Sequence, residues 1–468
     1  MGTSKSWRRK GCKRMNKMVT INPDAAGIDI GSEEHWVAIG EDKVNPEESP
    51  VRKFGAFTCD VEALGDWLAR KRIKTVAMES TGVYWIPVYE LLERRGFTVL
   101  LVNARDIKNV PGRKTDIKDC QWIQQLHSFG LLRGSFRPAD KIIQIRALVR
   151  QRDTLVKNNI QHVQRMQKAL TQMNIMLHKV ISDITGVTGL KIIDQILAGE
   201  RCPEKLATLC DARIKRNKDA IIKSLQGNWR NEHLFSLKQE LEGYRFFTKQ
   251  IQVCEAEINR TLDKFDDNTP PINPDCTDTP ISNKGKKSSV IFKMHAQFKR
   301  ITGVDLSWVP GFNDVTMMIL FSEIGIDMNA WPSEKHFTSW LGLSPSHKIS
   351  GGKILARKTR NVVNRAANAL RLAAQSVQKT STALGAFCRR LKSRLGPAKA
   401  ITATARKLAC IYYRSLKTGV AYVEIGANYY EQRYRDKLIS NLKKKAKMLG
   451  LQVIENIDNH IVPLEGTI

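Results

Sequence analysis

The first 140 residues alternate short apolar segments with segments of helical periodicity. Five short segments have the length and apolar character of strands, at residues 25–30, 36–39, 54–57, 75–78 and 98–102. Three other segments carry apolar residues at helical spacing, at residues 61–72, 85–95 and 114–129. Gly96 follows the second of them, as glycine commonly does at the end of a helix. The pattern predicts an α/β unit.

The order of these elements is strand, strand, strand, helix, strand, helix, strand, helix. It is the order of an RNase H-like domain, in which helices cover the faces of a mixed sheet. We therefore assign residues 25–139 to an α/β RNase H-like domain. The first 19 residues contain seven Lys and Arg and no acid, so residues 1–24 are assigned to a flexible basic arm.

The chain changes character after residue 139 and becomes helical. Between residues 140 and 180, apolar residues recur at threes and fours over about ten turns without Gly or Pro, which favours a coiled coil. Residues 184–189 interrupt this pattern, and residues 233–265 predict a second long helix that can pair back on the first. Residues 140–265 are therefore assigned to a helical coiled-coil domain.

The last part of the chain is predicted to be a mainly α-helical domain over residues 299–430, with helical spacing at 362–377 and 398–416. Residues 266–287 are rich in Pro, Asn, Asp, Thr and Lys, so 266–298 is assigned to a linker. The turn at 309–312 precedes an apolar run. It has two equally good interpretations: a phosphate-binding turn at a helix N-terminus, or an ordinary turn before a core helix. Residues 431–468 form a charged, peripheral tail.

The net charge of the chain indicates what kind of partner it binds. The chain has 76 Lys and Arg against 46 Asp and Glu, a net charge of +30, which attracts polyanions such as nucleic acid. Between Glu334 and Glu424 there is no acid at all, but there are 18 Lys and Arg. A solvated helical face usually mixes signs, so we expect nucleic-acid contact here, with candidate side chains Lys348, Lys353, Arg357, Lys358, Arg360 and Arg365.

Composition argues against several other protein classes. The densest apolar run, residues 315–321, is far shorter than the ~18 residues of a membrane span. No apolar stretch follows the basic N-terminus, so no secretory signal is predicted. The nine cysteines are scattered without a Cys-x-x-Cys pair, which favours reduced thiols in a cytoplasmic protein over a disulfide scaffold or a structural zinc site.

Four carboxylates are candidates for metal binding. Asp29 lies inside an apolar strand and Glu79 ends another, and a buried carboxylate costs several kcal/mol unless it is paired or metal-bound. Asp116 and Asp119 are three residues apart on a predicted helix and share a face. Taken singly, each acid has a simpler explanation, such as a loop acid or a first-turn acid that favours the helix dipole. Together they predict an Mg²⁺ site for phosphodiester chemistry.

Ser350 is the second candidate for chemistry. It precedes Gly351 and Gly352, which allow close approach of a ligand to the backbone. Lys348, Lys353 and Arg357 surround it with positive charge that favours a phosphate. An ordinary Ser-Gly-Gly turn explains the same residues, and His347 is either a general base or a loop residue.

These motifs in combination resemble the DEDD transposases of bacterial insertion sequences (the IS one-ten, or IS110, family) over nearly the whole chain. The resemblance is carried by Gly-Ile-Asp-Ile-Gly at 27–31, Met-Glu-Ser-Thr-Gly at 78–82, and the stretches 114–119, 309–311, 350–352 and 364–368. It implies a RuvC-like N-terminal domain, a coiled-coil domain and a C-terminal transposase domain. It also implies a structured bridge RNA that pairs with donor and target double-stranded DNA in the bacterial cytoplasm, at the nucleoid.

The resemblance also implies roles for particular residues. In the family four acids bind Mg²⁺, and they correspond here to Asp29, Glu79, Asp116 and Asp119. A serine attacks DNA to form a covalent intermediate, and it corresponds to Ser350. Many relatives have two adjacent serines before the glycines, and this chain has Ile349 in the first of those places, with Ser346 as the other serine nearby.

Three functions are candidates for this chain. The first is an RNA-directed recombinase that excises and inserts a mobile element with a serine nucleophile. The second is a RuvC-like structure-specific endonuclease, such as a junction resolvase, that cuts DNA with metal-activated water. The third, an architectural nucleic-acid binder, leaves the four acids unexplained. The long apolar stripes and the need to hold several cuts together predict a homo-oligomer, a dimer that becomes a tetramer on both DNAs.

Overall fold

The computed structural model describes residues 19–103, 116–211, 218–268, 293–360 and 362–453. The chain divides into two compact units, Met1–Arg137 and Pro138–Ile468. Within the described residues, no helix combines the length and the apolar character that crossing a bilayer would require.

The first unit is built on a five-stranded mixed sheet with the strand order β3-β2-β1-β4-β5. The strands are β1 (Ala25–Ile30), β2 (Glu34–Ile39), β3 (Val51–Gly55), β4 (Thr75–Glu79) and β5 (Thr98–Val102). The first three pair antiparallel, whereas β4 is parallel to both β1 and β5. The helices are α1 (Thr58–Arg70), α2 (Trp85–Arg94) and α3 (Asp116–Ser128), with a 3-10 turn at Glu41–Lys43. The predicted α/β RNase H-like architecture fits this mixed sheet and its flanking helices.

The two faces of the sheet are covered by different helices. Side chains of a strand alternate between faces, so Ala26, Ile28 and Ile30 of β1 share one face. They belong to a core that also contains the buried Leu64, Leu68, Val88 and Leu92 of α1 and α2. The opposite face carries Gly27 and Asp29, and there Ala77 and Val102 pack with Ile123 of α3. Asp29 therefore faces α3.

Helix α3 packs closely against the backbone of β1 at Gly27. A Cβ atom at this position would lie 2.3 Å from the backbone nitrogen of Gln124 and 2.5 Å from the backbone oxygen of Cys120. Backbone atoms of a packed helix cannot swing aside as a side-chain end can. The absence of a side chain at Gly27 thus sets the distance between β1 and α3.

We expect Gly27→Ala to lower the free energy of unfolding by about 2–4 kcal/mol, because α3 has to move off the sheet. Urea unfolding measures this loss. Gly186→Ala is the matched control, since its φ is −69° and its nearest contact to a new Cβ is 3.3 Å. Equal stability of the Gly27→Ala and wild-type proteins would contradict the tight packing.

Most predicted elements of this unit are present, with shifted ends. The strand predicted at 54–57 lies at Val51–Gly55, because its span is set by pairing with β2 from Ala38↔Val51 to Glu34↔Gly55. The helix predicted at 61–72 begins earlier, at Thr58, and ends at Arg70. The helix predicted at 114–129 is described as Asp116–Ser128, and its first two residues lie outside the described ranges.

The second unit is helical apart from one hairpin. Its first six described helices are the long α4 (Asp140–Gln172) and α9 (Asn231–Leu262), and between them α5 (Leu177–Val180), α6 (Val187–Leu197), α7 (Pro203–Thr208) and α8 (Lys218–Ser224). Then follow α10 (Met294–Thr302), α11 (Asp314–Ile324), a 3-10 turn at Met328–Ala330, α12 (Glu334–Trp340), β6 (Pro345–Ser350) and β7 (Lys353–Thr359). The last helices are α13 (Arg365–Val377), α14 (Ala383–Leu395), α15 (Pro397–Thr418) and α16 (Ala427–Met448).

Helices α4 and α9 pair antiparallel, as the sequence predicts for two long apolar stripes. The buried Arg152 and Glu255 form an ion pair at 2.6 Å, and His162 lies 2.6 Å from Glu240. The helix predicted to run to residue 180 ends at Gln172, and Asn174 adopts a left-handed φ of 57°. That these helices form a coiled coil stays a prediction.

The C-terminal part of the second unit is mainly helical, as predicted, and α11 lies at its centre. Met317, Met318, Leu320 and Phe321 of α11 are all buried, and its Glu323 accepts two bonds from Arg150 of α4 at 2.9 and 2.8 Å. Helix α10 begins at Met294, inside the stretch assigned to the linker, and buries Met294 and Phe298. Of the linker itself, residues 269–292 lie outside the described ranges.

The turn at residues 309–312 has the features of an ordinary turn before a core helix. Gly311 has a φ of +85°, and a Cβ there would lie 2.7 Å from Val377 and 2.8 Å from the carbonyl oxygen of Ala373. The Asn313 side chain already accepts the backbone N–H of Thr316, and Asp314 places a negative charge in the first turn. Both features disfavour a phosphate at this helix N-terminus.

Candidate functional site

Two of the predicted acids stand on neighbouring parallel strands. Ile28 of β1 is opposite Met78 of β4, so Asp29 and Glu79 are the next residues along two adjacent strands. Both are partly buried and both belong to the face that α3 covers. The hydroxyl of Thr81 donates to Glu79 Oε1 at 3.0 Å. Parallel pairing thus brings together two carboxylates that are 50 residues apart in sequence.

The other two predicted acids lie in the first turn of α3. Asp116 is exposed and Asp119 is partly buried. Because Gly27 lets α3 lie directly on β1, this first turn is held over the strand that carries Asp29. Spacing in the sequence places Asp116 and Asp119 on one helix face, but only packing on the sheet brings that face to Asp29.

The pKa of Asp29 is affected by burial and by the three other predicted acids. It is raised to about 6, first by burial and then by the negative charges of Glu79, Asp119 and Asp116 in that order. The buried thiol of Cys120 has its pKa raised to about 12, chiefly by burial and next by the charge of Asp29. The three other predicted acids therefore all act electrostatically on Asp29.

The residues fit a divalent metal ion by their chemistry. Carboxylate oxygens are the ligands that Mg²⁺ prefers, and several negative charges near one another attract a cation. In the part of the chain that the structure describes, no three His, Cys, Asp or Glu side chains stand close enough to hold a metal ion together. Binding an ion would therefore draw the carboxylates closer to one another.

A raised carboxyl pKa predicts how stability changes with pH. Asp29 has a pKa of about 6 in the fold against 3.8 when unperturbed, so the folded protein holds this proton more tightly than the unfolded chain. Its contribution to stability is complete below about pH 3.8 and is lost as the pH rises through about 6. In EDTA, we expect the melting temperature of Asp29→Asn to exceed that of wild type at pH 7.5, with a smaller difference at pH 4.5. Equal differences at both pH values would contradict this coupling.

Ser350 lies at the tip of the β6–β7 hairpin. It is the last residue of β6, it is exposed, and it pairs with Lys353 of β7. Gly351 and Gly352 form the two-residue loop with φ values of +53° and +74°. Positive φ at both central positions is characteristic of a type I′ hairpin turn, which glycine adopts without strain. The Ser-Gly-Gly turn is therefore present, and it holds Ser350 in the open.

The predicted nucleic-acid-binding cations fall into three groups. Lys353 and Arg360 are exposed, and Arg360 also donates to the backbone oxygen of Ser339. Arg365 is exposed but pairs with Asp153 of α4 at 3.0 Å, so its charge is partly compensated. The backbones of three others lie in the hairpin, while their side chains are outside the described residues: Lys348, Arg357 and Lys358.

The sequence did not predict the β6–β7 hairpin, the pairing of Lys353 with Ser350, or the role of Gly27 beneath α3. The pairing of Lys353 with Ser350 follows from the glycine turn, which the Ser-Gly-Gly motif already signals. The role of Gly27 beneath α3 had no sequence signal beyond a glycine inside an apolar strand. The backbone of His347 is opposite Arg357, and its side chain is outside the described residues.

Comparison with protein families bears on the four acids and, separately, on Ser350. A family model for DEDD transposases of the IS110 type matches residues 26–175, and a model for transposases of the IS116/IS110/IS902 family matches residues 305–388. The first match includes all four acids, and the second includes Ser350. None of the curated proteins matches the chain significantly. The chain belongs to the IS110 family of insertion-sequence transposases, enzymes that cleave and recombine DNA.

Proposed function

We propose that this transposase excises and inserts its element through a covalent intermediate on Ser350, with an Mg²⁺ site formed by Asp29, Glu79, Asp116 and Asp119. The observation that carries the proposal is the position of Asp29 and Glu79 side by side on parallel strands, where burial first and then the charges of Glu79, Asp119 and Asp116 raise the pKa of Asp29 to about 6. A cluster of like charges lowers the stability of a fold, and such clusters are found preferentially at functional sites, metal-binding sites among them. The exposed position of Ser350 on a glycine turn supports its access to DNA.

The proposed chemistry is a pair of phosphoryl transfers. When bound, Mg²⁺ polarises the phosphodiester and favours the charge that develops on its oxygens. The Ser350 oxygen bonds to phosphorus, the bond from phosphorus to a deoxyribose oxygen breaks, and the freed oxygen takes up a proton. Attack by a deoxyribose hydroxyl of the exchanged strand then rejoins the DNA and returns the proton to Ser350. The ammonium of Lys353, directly across the hairpin, stabilises the phosphate.

We also propose that a structured bridge RNA directs the reaction. Support comes from the net charge of +30 and from the acid-free stretch of 18 cations, which favour contact with the phosphates of nucleic acid. The test is to sequence RNA that co-purifies with the protein expressed alongside its element. A single structured RNA encoded by the element is expected. A purified protein that recombines DNA after complete RNase treatment would contradict RNA direction.

The pair α4 and α9 is proposed as the surface of self-association. Phe246 and Val253 of α9 are seven residues apart, two turns on one face, and each is more than half exposed. We expect at least a dimer at micromolar concentration, because strand exchange needs several cuts held together, and we expect Phe246→Ser/Val253→Ser to weaken it about tenfold or more. Light scattering measures the mass. A monomeric wild-type protein with RNA and DNA present would contradict the proposal.

The main alternative is a RuvC-like structure-specific endonuclease that uses metal-activated water. It is favoured by the location of all four acids in the first unit, which does not contain Ser350. The two functions leave different products. A protein–DNA adduct that survives denaturation indicates serine chemistry, whereas free 5′-phosphate ends without an adduct indicate hydrolysis.

A further inference from the structure

The tip of the β6–β7 hairpin carries three exposed aliphatic side chains next to Ser350. Ile349, Ile354 and Leu355 are 63%, 44% and 69% exposed. Single exposed aliphatic residues are common on protein surfaces, but a contiguous group at the end of a projecting element indicates a binding partner.

The pairing of the strands puts this group beside the candidate nucleophile. Ile349 is opposite Ile354, and Ser350 is opposite Lys353. Because successive residues of a strand alternate between faces, the apolar pair and the Ser350–Lys353 pair lie on opposite faces of the same short segment. A ligand that surrounds the tip can therefore touch Ser350 on one face and the apolar pair, one residue along each strand, on the other.

A β-bulge brings the third residue into the group. Lys348 pairs with Ala356 and Ile349 with Ile354, so Leu355 is an extra residue with no partner on β6. A bulge bends its strand, increases the local twist and redirects a side chain. It explains how a large aliphatic residue of β7 is left exposed at the tip.

The tip also stands clear of the rest of the described chain. A Cβ atom built on Gly351 or on Gly352 meets no other atom within 4 Å. No other part of the described chain thus covers the turn where these side chains would project, which leaves that side accessible to another molecule.

The positive charge around the hairpin indicates which kind of molecule the tip binds. The hairpin lies within residues 335–423, which contain 18 Lys and Arg and no acid, so a polyanion is favoured over an apolar protein surface. A two-stranded ribbon fits a groove of duplex DNA, and aliphatic side chains are used as wedges between base steps, where they unstack the bases. Strand exchange also requires the bases at the exchanged step to unpair.

We propose that Ile349, Ile354 and Leu355 form an apolar wedge that enters DNA beside the phosphodiester attacked by Ser350 and separates the bases there. The inference rests on the proposed function and adds to it a role for the chain itself in opening the duplex. Positive charge at Lys353 holds the backbone while the wedge displaces the bases.

The test uses the full-length protein with its co-purified RNA and a duplex that spans one end of the insertion sequence. In a Ser350→Ala background no chemistry occurs, so permanganate oxidation of unstacked thymines reports opening alone. Adding Ile349→Thr/Ile354→Thr is expected to lower this oxidation about tenfold, because Thr keeps the β-branched shape of Ile but removes its apolar end. Val187→Thr is the matched control, an exposed aliphatic residue outside the hairpin that should leave oxidation unchanged.

A second measurement excludes simple misfolding. With Ser350 intact, Ile349→Thr/Ile354→Thr should form little adduct on the duplex but regain most of it on the same DNA with a mismatched bubble at the crossover. The wedge is overturned if this variant opens the duplex as well as its parent, or if the bubble restores nothing. It is also overturned if the variant changes only the oligomeric state, which would make the tip a contact between copies. Opening without any adduct in the wild type would instead reject the serine chemistry and leave the wedge standing.

Discussion

Ser350→Ala is expected to form no covalent DNA adduct and no recombinant product, a loss of about three orders of magnitude or more. Only the hydroxyl is removed, and Ser350 is exposed on a turn that the two glycines define, so the hairpin should persist. Binding of DNA and RNA should stay within about twofold of wild type, because a neutral side chain contributes little to contacts dominated by phosphate charge. Denaturing gels of labelled DNA measure the adduct, and filter binding measures affinity.

Ser346→Ala provides the matched comparison. Ser346 lies four residues earlier on the same strand, with its backbone opposite Lys358. It should retain adduct formation if Ser350 is the nucleophile. If Ser346→Ala loses the adduct and Ser350→Ala keeps it, the assignment moves to Ser346. If Ser350→Ala cuts DNA at the wild-type rate and leaves 5′-phosphate ends, the endonuclease function is correct instead.

Asp29→Asn, Glu79→Gln and Asp116→Asn are each expected to lower recombination about a thousandfold. Each change keeps the shape of the side chain but removes a charge on which the metal ion depends, and an ion supplies several kcal/mol of transition-state stabilisation. RNA and DNA binding should be unchanged. Asp119→Asn is expected to have a smaller effect, because the fourth acid need not contact the ion directly.

Metal binding itself gives a measurement independent of activity. Adding Mg²⁺ to EDTA-treated wild type should raise its melting temperature, since a ligand that binds only the folded state stabilises it. The gain should be larger at pH 7.5 than at pH 5, because a protonated Asp29, with its pKa near 6, is a poorer ligand. Asp29→Asn should show little gain at either pH. Equal Mg²⁺ stabilisation of Asp29→Asn and wild type would reject the site, and full recombination by Asp29→Asn would do the same.

The N-terminal fold was largely predictable because apolar residues recur with different periods in its strands and in its helices. Alternating and continuous apolar segments located all five strands, and the parallel β4 and β5 follow from the helices between them. The ends were less predictable: β3 is displaced from 54–57 to Val51–Gly55 because its extent depends on the register with β2, which is not local. The long helices α4 and α9 were recognised from their apolar stripes, and a left-handed Asn174 ends the first of them early.

The C-terminal unit was harder to predict for a physical reason. Its hairpin has exposed aliphatic residues and many cations, so it lacks the alternation of apolar and polar residues that marks a strand with one buried face. Helix α16 lies in the stretch expected to be a peripheral tail, and it buries none of its residues. A helix that buries no residues has no apolar stripe from which the sequence could predict it.

By itself, the sequence determined the family, the excess positive charge, and which residue types were available for chemistry. The spacing of Asp116 and Asp119 indicated that they share one helix face, and the sequence showed that two glycines follow Ser350. Only the tertiary structure decided that Asp29 and Glu79 stand side by side, since that depends on the parallel register of β1 and β4. It also decided that α3 reaches Asp29, because Gly27 admits the helix backbone, and that Ile349 and Ile354 share a face at the tip. Strand register and helix packing join residues far apart in the chain, and local periodicity carries no information about them.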